Sequence, residues 1–149
     1  MNIGIVGATG AVGEELIRLF IEAIDKKEIT NINIYLFASS RSKGVVINEG
    51  NHKLLIEEFS LKNTADCDVI FLCVSGDFSL KYAKDLAKNS IVIDNSSAYR
   101  YDSDVPLIVP QVNSDHLNNI KKNIIANPNC STAQLVIALK PLHDLYKIK

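Results

Sequence analysis

The stretch Ile3-Gly4-Ile5-Val6-Gly7-Ala8-Thr9-Gly10-Ala11-Val12-Gly13 decides the fold. Its first part, residues 3–6, is a short β-branched run that stops at a glycine, which is typical of a buried parallel strand. From Val12 onward apolar side chains recur at helical spacing, so a helix follows the turn directly. A glycine-rich turn between a first strand and a first helix is where a dinucleotide-binding fingerprint lies. This segment therefore predicts the opening unit of a nucleotide-binding α/β domain.

The same alternation of apolar strands and amphipathic helices continues along the chain. Further strands are predicted at residues 33–38, 45–47, 53–56, 69–74, 90–93, 106–109 and 124–126. Helices are predicted at about residues 78–88 and 131–139, and Pro141 is expected to kink or divide the second one. Strands that alternate with helices imply right-handed crossovers. We therefore expect a Rossmann-like, doubly wound, mostly parallel sheet.

Composition narrows the class of protein. The 149 residues suffice for one domain with a sizeable core, and 47% hydrophobic with 22% charged residues is ordinary for a soluble globular protein. A net charge of −1 gives no electrostatic reason to expect binding to nucleic acid or to an anionic membrane. The chain contains no membrane-length apolar run and lacks a signal peptide's basic region. Three cysteines without framework spacing favour a reducing, cytoplasmic compartment.

The glycines of the turn follow the pattern G-x-x-G-x-x-G rather than G-x-G-x-x-G. Gly7 can form the tight turn, Gly10 can let the backbone approach a pyrophosphate, and Gly13 can let the helix pack closely on the strand. The helix N-terminus is then positioned to receive the phosphate charge. The alternative is a glycine-rich turn that holds no ligand.

The end of the second strand indicates which dinucleotide is bound. A site that prefers NAD usually has an Asp or Glu there for the ribose 2′-OH. Residues 38–44, Ala-Ser-Ser-Arg-Ser-Lys-Gly, contain no carboxylate. Arg41, with the hydroxyls of Ser39 and Ser42, can instead hold a 2′-phosphate through charge-assisted hydrogen bonds. The loop favours NADP over NAD, and the alternative is a solvated basic loop.

A cysteine lies where the last predicted strand gives way to a helix. Residues 127–132, Asn-Pro-Asn-Cys-Ser-Thr, place Cys130 at this junction. A thiol there is expected to face unpaired backbone N–H groups and the positive end of a helix dipole, both of which favour the thiolate form. Cys130 is therefore a candidate nucleophile.

The other cysteines and the histidines are predicted to have no catalytic role. Cys67 and Cys73 flank or lie in an apolar strand and are expected to be small core residues. His52, His116 and His143 are scattered without metal-ligand spacing, so we predict no metal site.

Three separated segments, residues 7–13, 91–100 and 124–134, together resemble one family. They contain the glycine turn, Ile-Val-Ile-Asp-Asn-Ser-Ser-Ala-Tyr-Arg and Ile-Ile-Ala-Asn-Pro-Asn-Cys-Ser-Thr-Ala-Gln. In order and spacing the whole chain is similar to the N-terminal half of the aspartate-β-semialdehyde dehydrogenases. The resemblance implies interconversion of L-aspartate-4-semialdehyde and L-4-aspartyl phosphate with NADP and inorganic phosphate, in the pathway to lysine, threonine and methionine.

The resemblance also implies roles for individual residues. Cys130 would form the acyl thioester, Arg100 would bind the phosphate or acyl-phosphate group, and Asn95 would lie in the same anion-binding region. The other implied residues would contact the cofactor: Thr9, Gly10, Ala11 and Val12 at the pyrophosphate, Arg41 and Ser42 at the 2′-phosphate, and Ser75 and Gly76 in a neighbouring loop. The family more often has Gly-Gly at positions 75–76 and glutamate where Gln111 stands.

Family members are more than twice as long, so the resemblance implies that a second domain is essentially missing. Residues 1–130 would form the NADP-binding domain, and residues 131–149 would begin the truncated catalytic and dimerisation domain. Family members form homo-oligomers, and a fragment with an exposed apolar patch is expected to self-associate or depend on a partner chain. Two alternatives stay open, an enzyme similar to N-acetyl-γ-glutamyl-phosphate reductase and a dinucleotide-binding module without activity.

Overall fold

The computed structural model describes residues 1–148, apart from the side chain of Asn119. Its strands are β1 (Asn2–Val6), β2 (Asn33–Ala38), β3 (Val46–Glu49), β4 (His52–Glu58), β5 (Val69–Leu72), β6 (Ile91–Asp94) and β7 (Ile124–Ala126). Its α-helices are α1 (Ala11–Asp25), α2 (Gly76–Leu86), α3 (Pro110–Asn113) and α4 (Cys130–Tyr146). Two short 3₁₀ helices cover Ser40–Ser42 and Ser114–Asn119.

The strands form one seven-stranded sheet in the order β3-β4-β2-β1-β5-β6-β7. Neighbouring strands are parallel except β3 and β4, which form an antiparallel hairpin. The mostly parallel, Rossmann-like sheet is thus confirmed. Because these strands are parallel, the turn after β1 and the carboxyl ends of β2, β5, β6 and β7 lie at one edge of the sheet, and β1 is at its centre. Ligands of such folds bind at this edge.

A separate hydrophobic core lies on each face of the sheet. On one face Ile17 and Ile21 of α1 pack against a cluster that includes Ile5 and Leu36. These two helix residues are one turn apart, so a single apolar stripe provides the contact. On the other face Ala83, Leu86 and Ala87, in and just after α2, pack among a second cluster from strands β1, β2 and β5 to β7. This packing fixes both helices relative to the carboxyl edge.

One local prediction is wrong, and one of the two outcomes expected at Pro141 does not occur. Residues 106–109 do not form a strand and make only an isolated bridge from Leu107 to Ala126, followed by α3 from Pro110. Proline at both ends of this segment removes backbone donors that a longer ladder would need. Pro141 does not divide α4, which runs through it to Tyr146. The carbonyl of Ile137, which loses its helical partner there, belongs to an exposed residue and can be solvated.

Helix α4 contacts little of the rest of the chain. None of its residues is buried, and Leu135, Leu142, Leu145 and Tyr146 are among its exposed apolar side chains. A helix with apolar residues on several faces is ordinarily covered by other structure. Across residues 1–148, the helices are all too short or too polar to cross a membrane.

Candidate active site

The glycines after β1 differ in what the protein itself requires of them. Gly7 has φ +87°, and a Cβ there would lie 2.2 Å from the main-chain oxygen of Cys73. A Cβ on Gly13 would lie 2.3 Å from the main-chain oxygen of Gly7, so α1 could not approach the turn this closely with any side chain there. A Cβ on Gly10 would meet only Gly7 O, at 3.4 Å, which is an ordinary contact. Packing within the chain thus explains why positions 7 and 13 require glycine, whereas there is open space beside Gly10.

The N-terminus of α1 has no side-chain cap. Gly10 is its N-cap residue and cannot accept a hydrogen bond through a side chain. By contrast, Ser75 Oγ accepts a hydrogen bond from the backbone N–H of Phe78 at 3.4 Å at the start of α2. The first-turn N–H groups of α1, which include those of Ala11 and Val12, therefore lack the partner that a cap supplies. An anion beside Gly10 would satisfy them and interact favourably with the helix dipole.

A cleft of about 380 Å³ opens at the carboxyl ends of β1 and β2. It brings together three of the predicted cofactor residues, Gly7, Thr9 and Ser39. The remaining lining residues were not predicted from the sequence: Val6, Ala38, Ser40, Glu58, Phe59, Val74 and Phe78. The cleft adjoins the uncapped helix end, so its chemistry fits a dinucleotide with its phosphates at Gly10.

Arg41 and Ser42 do not line this cleft. They lie in the 3₁₀ helix Ser40–Ser42, directly after the cleft residue Ser40. Arg41 is exposed and makes no ion pair within the described part of the chain, so its guanidinium can turn toward a ligand phosphate at the mouth of the cleft. Ser75 and Gly76 also lie outside its lining, at the start of α2, which begins two residues earlier than predicted.

A buried carboxylate organises the turn after β6. Asp94 is fully buried, and its Oδ1 accepts hydrogen bonds from Ser79 Oγ at 2.7 Å and from the Ser96 N–H at 3.0 Å. Its Oδ2 accepts a third from Ser96 Oγ at 2.8 Å. These bonds join α2 to the turn that carries Asn95 and leads to Arg100. Asp94 was not assigned a role from the sequence, because its burial depends on the packing of α2 over the end of β6.

Arg100 joins the ends of two neighbouring strands. Its Nε donates to the main-chain oxygen of Asn127 at 2.9 Å, and its Nη2 donates to the main-chain oxygen of Asn95 at 3.0 Å. The two asparagines also contact each other, since Asn127 Nδ2 donates to Asn95 Oδ1 at 2.7 Å. The half-buried guanidinium is therefore held against backbone rather than paired with a carboxylate.

Cys130 is exposed and is the first residue of α4, immediately after the turn that follows β7. The predicted strand–helix junction is thus present. The helix end is capped, however, because Asn129 Oδ1 accepts from the N–H groups of Ser131 at 3.0 Å and Thr132 at 3.4 Å. The expectation that these N–H groups are unpaired is therefore wrong, because the residue before the cysteine is a good N-cap. The Cys130 thiol is nevertheless exposed and lies at the positive, N-terminal end of the α4 dipole.

Cys67 has the buried environment predicted for a core residue, whereas Cys73 is half-buried. Burial raises the pKa of the Cys67 thiol to about 11. Burial, with a smaller contribution from the charge of Asp94, raises the pKa of Cys73 to about 11. Both thiols therefore stay protonated near neutral pH, which leaves Cys130 as the accessible one.

A second, more apolar cleft of about 230 Å³ links the cofactor turn to the Arg100 cluster. Val12 of α1 lines it together with Asn95 and Asn127, and the other lining residues are Leu16, Phe71, Cys73 and Ile93. The two parts of the predicted site thus face a common opening at the carboxyl edge. One end of this edge has the uncapped N-terminus of α1, and the other has the Arg100 guanidinium beside the turn that leads to the thiol.

Residues 2–120 match the family described as semialdehyde dehydrogenase, NAD binding domain. The chain belongs to this family. Among curated relatives, the aspartate-semialdehyde dehydrogenase of Aquifex aeolicus is 41% identical over 99% of this chain and 43% of its own length. The chain thus spans less than half the length of the relatives it matches.

Solved structures agree with the family in fold. The crystal structure of aspartate semialdehyde dehydrogenase II from Vibrio cholerae, complexed with ASA, superposes with a TM-score of 0.83 at 37% identity, over 96% of this chain and 46% of that one. The Candida albicans aspartate semialdehyde dehydrogenase with NADP gives a TM-score of 0.77 at 30% identity, over 99% of this chain and 48% of that one. These family relatives share the fold of the NAD-binding domain described above.

Proposed function

We propose that this chain is the NADP-binding, nucleophile-bearing N-terminal part of an aspartate-semialdehyde dehydrogenase. Its reaction would be the NADP- and phosphate-dependent interconversion of L-aspartate-4-semialdehyde and L-4-aspartyl phosphate in a cytoplasmic biosynthetic pathway. The single observation that carries this proposal is the double hydrogen bond of Arg100 to Asn95 and Asn127. These bonds fix the Arg100 guanidinium against the turn that ends at Cys130.

The cofactor half of the proposal depends on the glycine turn and the cleft beside it. The open space at Gly10 and the uncapped N-terminus of α1 suit the pyrophosphate of NADP. Phe59 and Phe78 supply aromatic walls for a purine, and exposed Arg41 supplies a cation for the 2′-phosphate. When bound, NADP supplies the hydride acceptor or donor for the aldehyde carbon.

The chemical half depends on Cys130 and Arg100. The Cys130 sulfur would add to the aldehyde carbon, and oxidation of that adduct would leave a thioester on the sulfur. Arg100 would then hold inorganic phosphate beside the thioester carbonyl, so that a phosphate oxygen displaces the sulfur and forms the acyl phosphate. Its Nε and Nη2 are engaged with backbone, so the guanidinium edge that remains would contact the phosphate.

We further propose that residues 131–149 begin a second domain that covers α4 and supplies the general base and the substrate-carboxylate ligand. The exposed apolar residues of α4 support this division, since such a surface is stabilised by burial. Without that domain the chain is expected to bind NADP but not to turn over substrate alone.

The test measures both cofactor binding and turnover of substrate. NADPH binding to the 149-residue chain is followed by fluorescence. Phosphate-dependent NADP reduction with L-aspartate-4-semialdehyde is then assayed for the chain alone and with the separately produced C-terminal part of the Aquifex aeolicus relative. We expect binding by the chain, turnover in the mixture, and loss of turnover in Cys130→Ala. Turnover that survives Cys130→Ala would contradict the proposed nucleophile, and turnover only with N-acetyl-glutamate semialdehyde would favour the reductase alternative.

A further inference from the structure

An acidic residue, Glu58, lines the cofactor cleft from the strand beside β2. Glu58 is the last residue of β4 and stands opposite Ala38, the last residue of β2, in the parallel ladder. It lines the cleft of about 380 Å³ together with Ser39 and Ser40. In dinucleotide-binding folds the group at the end of the second strand meets the adenosine ribose. Here the carboxylate missing from β2 is supplied by its neighbour.

The charge of Glu58 is partly balanced by Lys43. The Lys43 Nζ lies 3.4 Å from Glu58 Oε2, and the side chains are 64% and 44% exposed. An ion pair this long and this exposed contributes little to stability, so its partners can exchange at small cost. Lys43 follows the 3₁₀ helix that carries Arg41, so two cations lie close in sequence to the cleft residue Ser40, and one of them contacts Glu58.

These three groups respond differently to the two nucleotides. A carboxylate accepts a hydrogen bond from a ribose 2′-OH, whereas it repels a 2′-phosphate. A cation attracts the phosphate and has no comparable preference for the hydroxyl. We propose that Glu58 is a second determinant of cofactor choice, which accepts the 2′-OH of NAD and weakens the preference for NADP that Arg41 creates. On binding NADP, Lys43 would leave Glu58 for the 2′-phosphate.

This inference rests on the proposed function, because it presumes that the cleft holds the adenosine end of the cofactor. It adds that the chain binds both nucleotides and that the ratio of their affinities is set by Glu58 and Lys43 in opposite directions. Glu57 provides a matched control, since it is the adjacent residue of the same strand, is exposed, and does not line the cleft. Lys53, exposed near the opposite end of β4, is the matched control for Lys43.

The experiment measures dissociation constants of NADPH and NADH for the unmodified chain and for four single variants. Glu58→Gln is expected to tighten NADPH about threefold by removing repulsion and freeing Lys43, and to weaken NADH about tenfold by removing a charged acceptor. Lys43→Gln is expected to weaken NADPH about threefold with NADH unchanged. Glu57→Gln and Lys53→Gln are expected to change the affinity ratio by less than about twofold.

The outcomes separate this inference from the function on which it rests. If both nucleotides bind but Glu58→Gln leaves their affinity ratio where Glu57→Gln leaves it, Glu58 is no determinant and only this inference fails. If neither nucleotide binds the unmodified chain, the cofactor half of the proposed function fails with it. Circular dichroism of each variant checks that the sheet is intact, and the Lys43→Gln result tests the inference independently of any damage at position 58.

Discussion

Arg100 Nε donates a hydrogen bond to the main-chain oxygen of Asn127 at 2.9 Å. Asn127 opens the turn between β7 and α4, and Asn95, which accepts the second guanidinium bond, follows β6. One side chain thus joins the ends of two parallel strands and the start of the helix that begins with Cys130. The position of the cation relative to the thiol is therefore set by a single backbone turn.

Replacing Arg100 by lysine is expected to destabilise the chain. An ammonium group cannot reach both carbonyls with the planar geometry of a guanidinium, so at least one charge-assisted hydrogen bond is lost. We expect the free energy of unfolding to fall by about 1.5–3 kcal/mol. Urea unfolding followed by circular dichroism measures it. Arg41→Lys, at an exposed arginine, should change the free energy of unfolding by less than about 0.5 kcal/mol. An equal loss in both variants would refute the role assigned to Arg100.

Asp94→Asn tests the buried network behind this turn. The asparagine amide places a donor where the carboxylate accepts from Ser79 or Ser96, so one of the three bonds must break or rearrange. The expected cost is about 1–3 kcal/mol of unfolding free energy. Asp115→Asn, at an exposed position, is the control and should cost less than about 0.5 kcal/mol. Unchanged stability in Asp94→Asn would show that the network does not hold the turn.

The difference between what the sequence could and could not predict follows from the range of the interactions. The glycine turn, β2 and β7 were predicted within a residue because strand-forming and turn-forming preferences are local. The strand predicted at residues 106–109 failed because only the fold decides whether a partner ladder extends that far. Glu58 was missed because β4 becomes the neighbour of β2 only after the hairpin joins the sheet.

The candidate site likewise has features that follow from the local sequence and features that depend on the fold. Cys130 and Arg100 were predicted as site residues from motifs, but the hydrogen bond that joins Arg100 to Asn127 connects residues 27 positions apart. The cap that Asn129 provides was within reach of local reasoning, since asparagine is among the best N-cap residues. The fully buried position of Asp94 was not, because it depends on α2 packing over the end of β6.

Two alanine substitutions in the glycine turn should separate packing from ligand binding. Gly13→Ala places a Cβ 2.3 Å from backbone and is expected to cost about 2–3 kcal/mol of unfolding free energy. Gly10→Ala makes only an ordinary contact and should cost less than about 1 kcal/mol. NADPH affinity should nevertheless fall in Gly10→Ala, because the new methyl group occupies the space proposed for the pyrophosphate. Unaltered NADPH affinity in a folded Gly10→Ala chain would exclude that placement.

Cys130 is expected to react with an alkylating reagent before the other two cysteines. At pH 8 a thiol with a pKa of about 11 is only about 0.1% thiolate, so iodoacetamide should modify exposed Cys130 first. Mass spectrometry of digested protein identifies the labelled site, and Cys130→Ala should remove the fast phase. Fast labelling of Cys67 or Cys73 in the folded chain would contradict the raised pKa values of these two thiols.

The same raised pKa values predict how stability depends on pH. In the unfolded chain these thiols ionise near their ordinary pKa of about 8.5, whereas in the folded chain they stay protonated to about 11. The stabilisation that these protonated thiols contribute to the free energy of unfolding is therefore complete below pH 8.5 and is lost as the pH rises toward 11. Cys73→Ala should flatten that decline relative to the unmodified chain, as measured by urea unfolding at several pH values.

The exposed apolar residues of α4 are expected to make the isolated chain self-associate. Leu135 and Leu145 are 58% and 74% exposed, and hydrophobic surface of this kind is stabilised by burial against another molecule. Light scattering after size exclusion should show a mass that rises with concentration, and Leu135→Glu with Leu145→Glu should lower it. Because neither residue is buried, the unfolding free energy of the monomer should change little. Leu80→Glu, at a leucine of α2 that is 57% exposed, is the matched control. If it lowers the mass as much as the α4 variants, added charge rather than the α4 surface accounts for the effect.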